Sequence, residues 1–222
     1  MKLRNKHIIT VFFVFSAAFF TSNAKAELIE IQLTATVNYL RDDKNFLQGK
    51  IHLNDTITGS YIYESTTGDT NPDPTDTTVG DYWHDITPAG ISLSTGGFEF
   101  KTDTANVNFL VSIGNNHSGR DVYLVRSYNN LPLSGSVGVG GISWQLDDYT
   151  ATAFSSDALP VTAPIPLSQW QSNDLMIDGG GIGGSYIIHA EVTSAQLVPE
   201  PATLLLISLG ALMLKKSRRF TS

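Results

Sequence analysis

Residues 27–197 read as an all-β domain, a single β-sandwich or jelly-roll-like unit, and three observations predict it. Residues 27–39 alternate without a break between apolar and polar side chains, the period-two signature of a half-buried strand. Clusters of Gly, Asn, Asp and Pro punctuate the chain at short intervals, as turns between short strands do. Between residues 27 and 197 no long stretch carries the three-to-four-residue apolar spacing of an amphipathic helix.

The first strand is the clearest. In 27–39, Ile29, Ile31, Leu33, Ala35, Val37 and Tyr39 point one way, and Glu30, Gln32, Thr34, Thr36 and Asn38 the other. Residues 57–63 and 107–113 repeat the pattern more loosely, and further strands are expected at 90–94, 97–102, 122–127, 142–146 and 185–198. Polar or Gly/Pro-rich loops interrupt them at 66–78, 129–141 and 155–173. The first and last strands are the longest and are expected to lie near each other. No internal repeat of fixed period occurs. Many short strands without helices are the pattern of a sandwich or jelly roll.

Two segments of different character flank this ectodomain. Residues 1–26 begin with Lys2, Arg4 and Lys6, continue with an apolar run at 8–20 and end in Ala24-Lys25-Ala26. That is the layout of a secretory signal peptide cut after Ala26, with Ala24 and Ala26 as the small residues of the site. It implies use of the Sec export machinery. The apolar run is too short for a spanning anchor.

Residues 198–222 begin with Val198-Pro199-Glu200-Pro201, continue with an apolar stretch at 202–214 and end in Lys215, Lys216, Ser217, Arg218 and Arg219. The prolines remove backbone donors and resist helix, separating the domain from the apolar stretch. As a helix, 202–214 is about 20 Å long, at roughly 1.5 Å per residue. A bilayer core of about 30 Å accepts so short a segment through snorkelling side chains and local thinning. The basic cluster is held in the cytoplasm by the positive-inside rule. The segment therefore reads as a transmembrane stop with its body outside.

Pro199, Glu200 and Pro201, the apolar stretch and the basic end together resemble the PEP-CTERM sorting signal of Gram-negative bacteria. The resemblance implies recognition and processing by an exosortase-type membrane protease, with Pro199, Glu200 and Pro201 as the sorting motif. It implies Lys215, Lys216, Arg218 and Arg219 as the basic anchor. It also implies an association with exopolysaccharide-producing, biofilm-forming cells. The order GSYIYES, NPDP, VGDYW in the domain is similar to the bodies of some PEP-CTERM proteins and implies no activity.

The chain has 14 Lys and Arg against 21 Asp and Glu. Six of those basic residues and twenty of the acidic ones lie in 27–197, a net charge of −14 for the domain. A surface so acidic repels nucleic acid, which excludes that class of partner, and favours divalent cations. There is no cysteine, so disulfides, thiol catalysis and cysteine metal sites are absent.

The chemistry-bearing constellations are few. Asp69, Asn71, Asp73 and Asp76 offer hard oxygen ligands for calcium at short spacing, but without the EF-hand glycine and closing glutamate. The competing reading is a turn in which Asp and Asn cap their own backbone. Calcium is the one cofactor the sequence leaves room for. Residues 179–184, GGGIGG, satisfy the letters of a dinucleotide loop but lead into a strand-like run, so they read as a hairpin loop. Asp81-Tyr82-Trp83-His84-Asp85 sets a histidine among carboxylates without a candidate nucleophile. Trp144 alternates with Ile142 and Leu146 and is expected in the core. Trp83 and Trp170 have polar neighbours and are expected at the surface, where they could stack on sugar rings.

These readings point to an exported, non-enzymatic structural protein. It is first anchored in the inner membrane through its C-terminal helix and then found at the cell surface or in the extracellular matrix, with exopolysaccharide as a partner. The alternative is a carbohydrate-binding module, calcium-dependent or not, and a matrix polysaccharide hydrolase stands behind both.

Overall fold

The computed structural model describes residues 27–73, 75–164 and 166–199. The signal-peptide residues Ala24 and Ala26, the motif residues Glu200 and Pro201, and the basic cluster Lys215, Lys216, Arg218 and Arg219 lie outside them. Ten strands and one 3-10 turn, Leu167–Gln169, make up the regular structure of the described residues. The strands are β1 Leu28–Asp42, β2 Thr56–Glu64, β3 Val79–His84, β4 Gly90–Thr95 and β5 Phe98–Lys101. They continue as β6 Phe109–His117, β7 Arg120–Ser127, β8 Gly138–Asp148, β9 Ser172–Gly181 and β10 Gly184–Leu197. The domain is all-β, as the alternation predicts.

Its layers come from one sheet rather than two. The strand order is β3-β6-β7-β8-β9-β10-β1-β2-β4-β5, and every neighbouring pair is antiparallel. The expected neighbours β1 and β10 form the spine, paired from Ile31↔Leu197 to Asp42↔Tyr186. Irregularities between Thr34 and Ala35 and between Val37 and Tyr39 bend these long strands, as bulges do. The sheet then curls so that its halves face each other. Tyr61 on β2 meets Tyr123 on β7 hydroxyl to hydroxyl at 2.7 Å. The Phe100 ring of β5 lies 6.4 Å from that of Tyr186 on β10.

The inner face is an apolar and aromatic core. Ile31, Ala35, Val37, Tyr61, Tyr63, Tyr123, Trp144 and Tyr186 are all fully buried. Removing this surface from water is the main driving force for the roll. Trp144 sits in the core as its alternation predicts, its indole N–H donated to Asn173 Oδ1 at 3.0 Å. Burial first, and then the neighbouring tyrosines, push the Tyr61 and Tyr123 phenols well above their ordinary range.

Two details depart from the alternation. The irregularity after Val37 reverses the phase of β1, and Tyr39 lies outside at the edge of the His189 ring, centroids 5.5 Å apart. Residues 179–181 belong to β9 rather than to a loop, and the hairpin turn is only Ile182-Gly183, between the paired Gly181 and Gly184. A Cβ on Gly179 would stand 2.3 Å from the Gly138 carbonyl oxygen, so this glycine serves close strand packing. No nucleotide-binding strand–turn–helix exists here.

The segment 149–166 covers part of the core. Phe154 packs on Tyr123 and Trp170, while Tyr82 and Tyr63 donate their hydroxyls to the carbonyls of Asp157 and Pro160. Its near end is pinned by carboxylates. Asp121 accepts the N–H groups of Asn116 and Phe154 at 2.6 and 2.7 Å. Asp148 accepts those of Thr150, Thr152 and Ala153 and the Thr150 hydroxyl. With that many donors around it, the Thr150 hydroxyl first, the Asp148 carboxyl is held well below the usual range.

Candidate functional site

The site assembles where the end of β3 meets the start of β1 and the end of β2. On β3 the inward residues are Gly80, Tyr82 and His84, and the outward ones Asp81 and Trp83. His84 is buried and joins the two parts of the sheet. Its Nε2 accepts the backbone N–H of Glu64 at 3.2 Å and lies 3.1 Å from the Thr67 hydroxyl. With Nε2 accepting, the ring proton sits on Nδ1 and is donated to the Tyr82 carbonyl at 3.0 Å. Burial lowers the His84 pKa and holds the ring neutral. His84 is therefore a tether, not a general base beside an open carboxylate.

Beside that tether lies a cavity of about 190 Å³, bordered by Leu28, Glu64, Thr67, Trp83, Asp85 and Ile86. Trp83, 41% exposed, forms one wall. On its other side it meets Tyr128, ring centroids 5.3 Å apart and tilted by 30°. The Arg126 guanidinium lies over the Tyr128 ring at 4.8 Å, in cation–π range. Register explains the grouping. Trp83 pairs with Leu110, and Leu110 with Arg126, so one row of outward side chains crosses β3, β6 and β7. The Arg126 Nε is buried without a hydrogen-bond partner. Asp178 faces this guanidinium, and burial raises its carboxyl pKa while Arg126 lowers it. The arrangement is a flat aromatic shelf with a cation beside it, next to a small cavity edged by carboxylates.

The chain leaves the domain close by. The Val198 N–H is donated to the Glu30 carbonyl at 2.9 Å, extending the β1–β10 pairing to the residue before Pro199. Glu30 is two residues from Leu28, which borders the cavity. The shelf, the cavity and Pro199 thus gather around the start of β1.

The other residues singled out by sequence fall elsewhere. Trp170 is buried, 7% exposed, with Phe154 against it edge-to-face at 5.6 Å. This corrects the expectation of a surface ring: its polar neighbours describe the loop, while the side chain folds back under 149–166. Asp69, Asn71, Asp73 and Asp76 each take backbone N–H groups of their own loop. Asn71 donates to Asp69, Asp73 to Asn71, Thr75 to Asp73 and Thr78 to Asp76. The Thr75 and Thr78 hydroxyls lower the Asp73 and Asp76 carboxyls. Among the described residues no three His, Cys, Asp or Glu converge as a metal-holding group. The hydrogen bonds of the loop are those of a self-capped turn. Two pairs of adjacent carboxylates elsewhere, Asp42-Asp43 and Asp147-Asp148, have partners of their own: Asp42 accepts the N–H groups of Phe46 and Leu47, and Asp147 meets Arg120 at 2.9 Å.

Sequence reasoning missed Tyr128, Arg126, Leu28 and Ile86. The first two were within reach: with Tyr123 and Val125 inward, residue 126 faces outward on β7 and the same alternation carried one residue past the strand puts 128 on that side.

A sorted, membrane-transiting exported protein is the class that the chain defines. The PEP-CTERM protein-sorting motif is present at residues 197–219. It begins on the last residue of β10, so the domain and the signal adjoin without a linker. The motif implies processing by exosortase, a membrane protein. None of the curated proteins and none of the solved structures matches the chain.

Proposed function

We propose that the chain is a structural protein of the extracellular matrix, released from the membrane by exosortase and acting through its β-roll without catalysing a reaction. The direct joining of the PEP-CTERM motif to a rigid, all-β domain carries this reading. Export brings one compact unit to the outside, and several of its acidic groups brace loops. Asp121 and Asp148 are buried in such roles, and His84 is fixed as a neutral tether. An exopolysaccharide matrix suits such a domain as a hydrated, acidic component, at the cell surface or beyond it.

The test is fractionation of a matrix-forming host with and without the gene. The chain is expected in the washed matrix, and its loss is expected to weaken matrix cohesion without removing the polysaccharide. Recovery only in the membrane fraction, with unchanged cohesion, refutes the reading.

A second reading, favoured by the exposed Trp83–Tyr128 pair, is glycan binding. A pyranose face stacks on such rings, and the Arg126 guanidinium suits a sugar carboxylate. Retained glycan affinity in both Trp83→Ala and Tyr128→Ala variants rules this out. Trp170 plays no part in it.

A further inference from the structure

Among the described residues Tyr39, Leu53, Tyr149, Val161 and Ile182 are exposed apolar side chains set apart from one another in the chain, whereas six others gather. Leu28, Trp83, Ile86, Tyr128, Leu197 and Val198, each at least one-third exposed, all lie around the start of β1. Leu28, Trp83 and Ile86 border one cavity, Tyr128 lies against Trp83, and Val198 is bonded to Glu30. Grouping of this kind marks an interaction surface.

The chain beyond Val198 says what the surface meets. Among the described residues Val198 is the last held to the sheet, and the apolar stretch starts at Ala202. Four Cα steps span at most about 14 Å, while the headgroup layer on each side of a bilayer is about 5–8 Å thick. With the apolar stretch in the membrane, the edge around Val198 is therefore tethered within about 14 Å of the hydrocarbon boundary, at the headgroups or a few ångströms above them. Trp at a lipid–water interface with Leu and Ile beside it is a favourable arrangement.

We propose that, before processing, the domain docks on the outer surface of the lipid bilayer through the edge formed by Leu28, Trp83 and Ile86. The occupant is a zwitterionic lipid surface. Glu27, Glu30, Glu64 and Asp85 rim the same edge, and carboxylates repel anionic headgroups. Docking fixes the domain over its own exit point and sets Pro199 at membrane level, where a membrane protease works. Cleavage releases the edge to water. The inference rests on membrane transit and not on the matrix role, so either can fail alone.

Trp83 is its own reporter, since Trp144 and Trp170 are buried and the chain has three tryptophans. The test uses the full chain, exported by a host without exosortase and reconstituted into phosphatidylcholine vesicles. Proteolysis verifies tail insertion. Relative to the same chain cut at the motif, Trp83 emission is expected to shift to the blue and lose most of its acrylamide quenching. Lipids brominated near the headgroup are expected to quench it. Trp83→Phe removes the signal, and Leu28→Ser with Ile86→Ser weakens it. Phosphatidylglycerol in the vesicles reduces it. Trp83 equally open to acrylamide in both forms overturns the proposal, and so does protection that appears only when exosortase is added.

Discussion

At the start of β7, Asp121 accepts backbone N–H groups of its own chain on both carboxylate oxygens. At the other end, roughly 20 Å along the strand, Arg126 lies over the Tyr128 ring and Tyr128 lies beside an exposed Trp83. One end has polar groups buried and satisfied; the other has apolar groups left open. The contrast separates stability from interaction. Buried carboxylates with a full set of donors hold loops in place and have nothing left for a ligand. Exposed rings and aliphatic side chains add little to the fold and are available to a surface. In a domain of charge −14 the acids are the conspicuous feature of the sequence, yet the apolar groups mark the site.

Four perturbations sharpen this contrast. The largest effect is expected from Asp148→Ala, which strands the N–H groups of Thr150, Thr152 and Ala153 and costs about 3 kcal/mol, read as a lower urea midpoint. Next is acid. Asp148 titrates well below its ordinary 3.8 when folded, so its contribution is complete above that value and is lost as the pH falls below it. Asp148→Asn is expected to flatten the acid limb of the stability curve. Smaller still is the effect of His84. Its pKa is lowered from 6.5 by burial, so the unfolded chain takes up the proton first and stability falls as the pH drops below 6.5. His84→Phe is expected to cost about 1 kcal/mol at neutral pH, through the lost bond to Glu64, and to remove that slope. Smallest is Trp83→Ala, expected to change stability by less than about 0.5 kcal/mol while abolishing the vesicle signal. A loss of several kcal/mol there contradicts the division between the two ends.

Much of the roll was legible because its strands alternate. The closeness of β1 and β10 follows from two unusually long strands, the place of Trp144 in the core from alternation, and the 66–78 loop from its polar composition. β3 and β9 were hidden for a common reason. β3 turns Gly80, Tyr82 and His84 inward, and β9 ends in three glycines, so neither shows an apolar stripe. The phase reversal at Tyr39 needs an irregularity that no side chain announces. The burial of Trp170 depends on Phe154, far away in the loop. For the site, Trp83 was legible as an exposed ring with polar neighbours. Its partners were not, because they come from β1 and β7 and meet only when the sheet curls. The sorting motif is the opposite case: it is read along the chain, and residues suffice.

Release of the domain at the motif is the central claim, and intact mass tests it most directly. The protein is taken from the membrane and extracellular fractions of an exosortase-bearing host and weighed. A released species beginning at Glu27 and ending near Pro199–Pro201 is the predicted result. A chain that keeps residues 202–222 and is found only in membranes contradicts it.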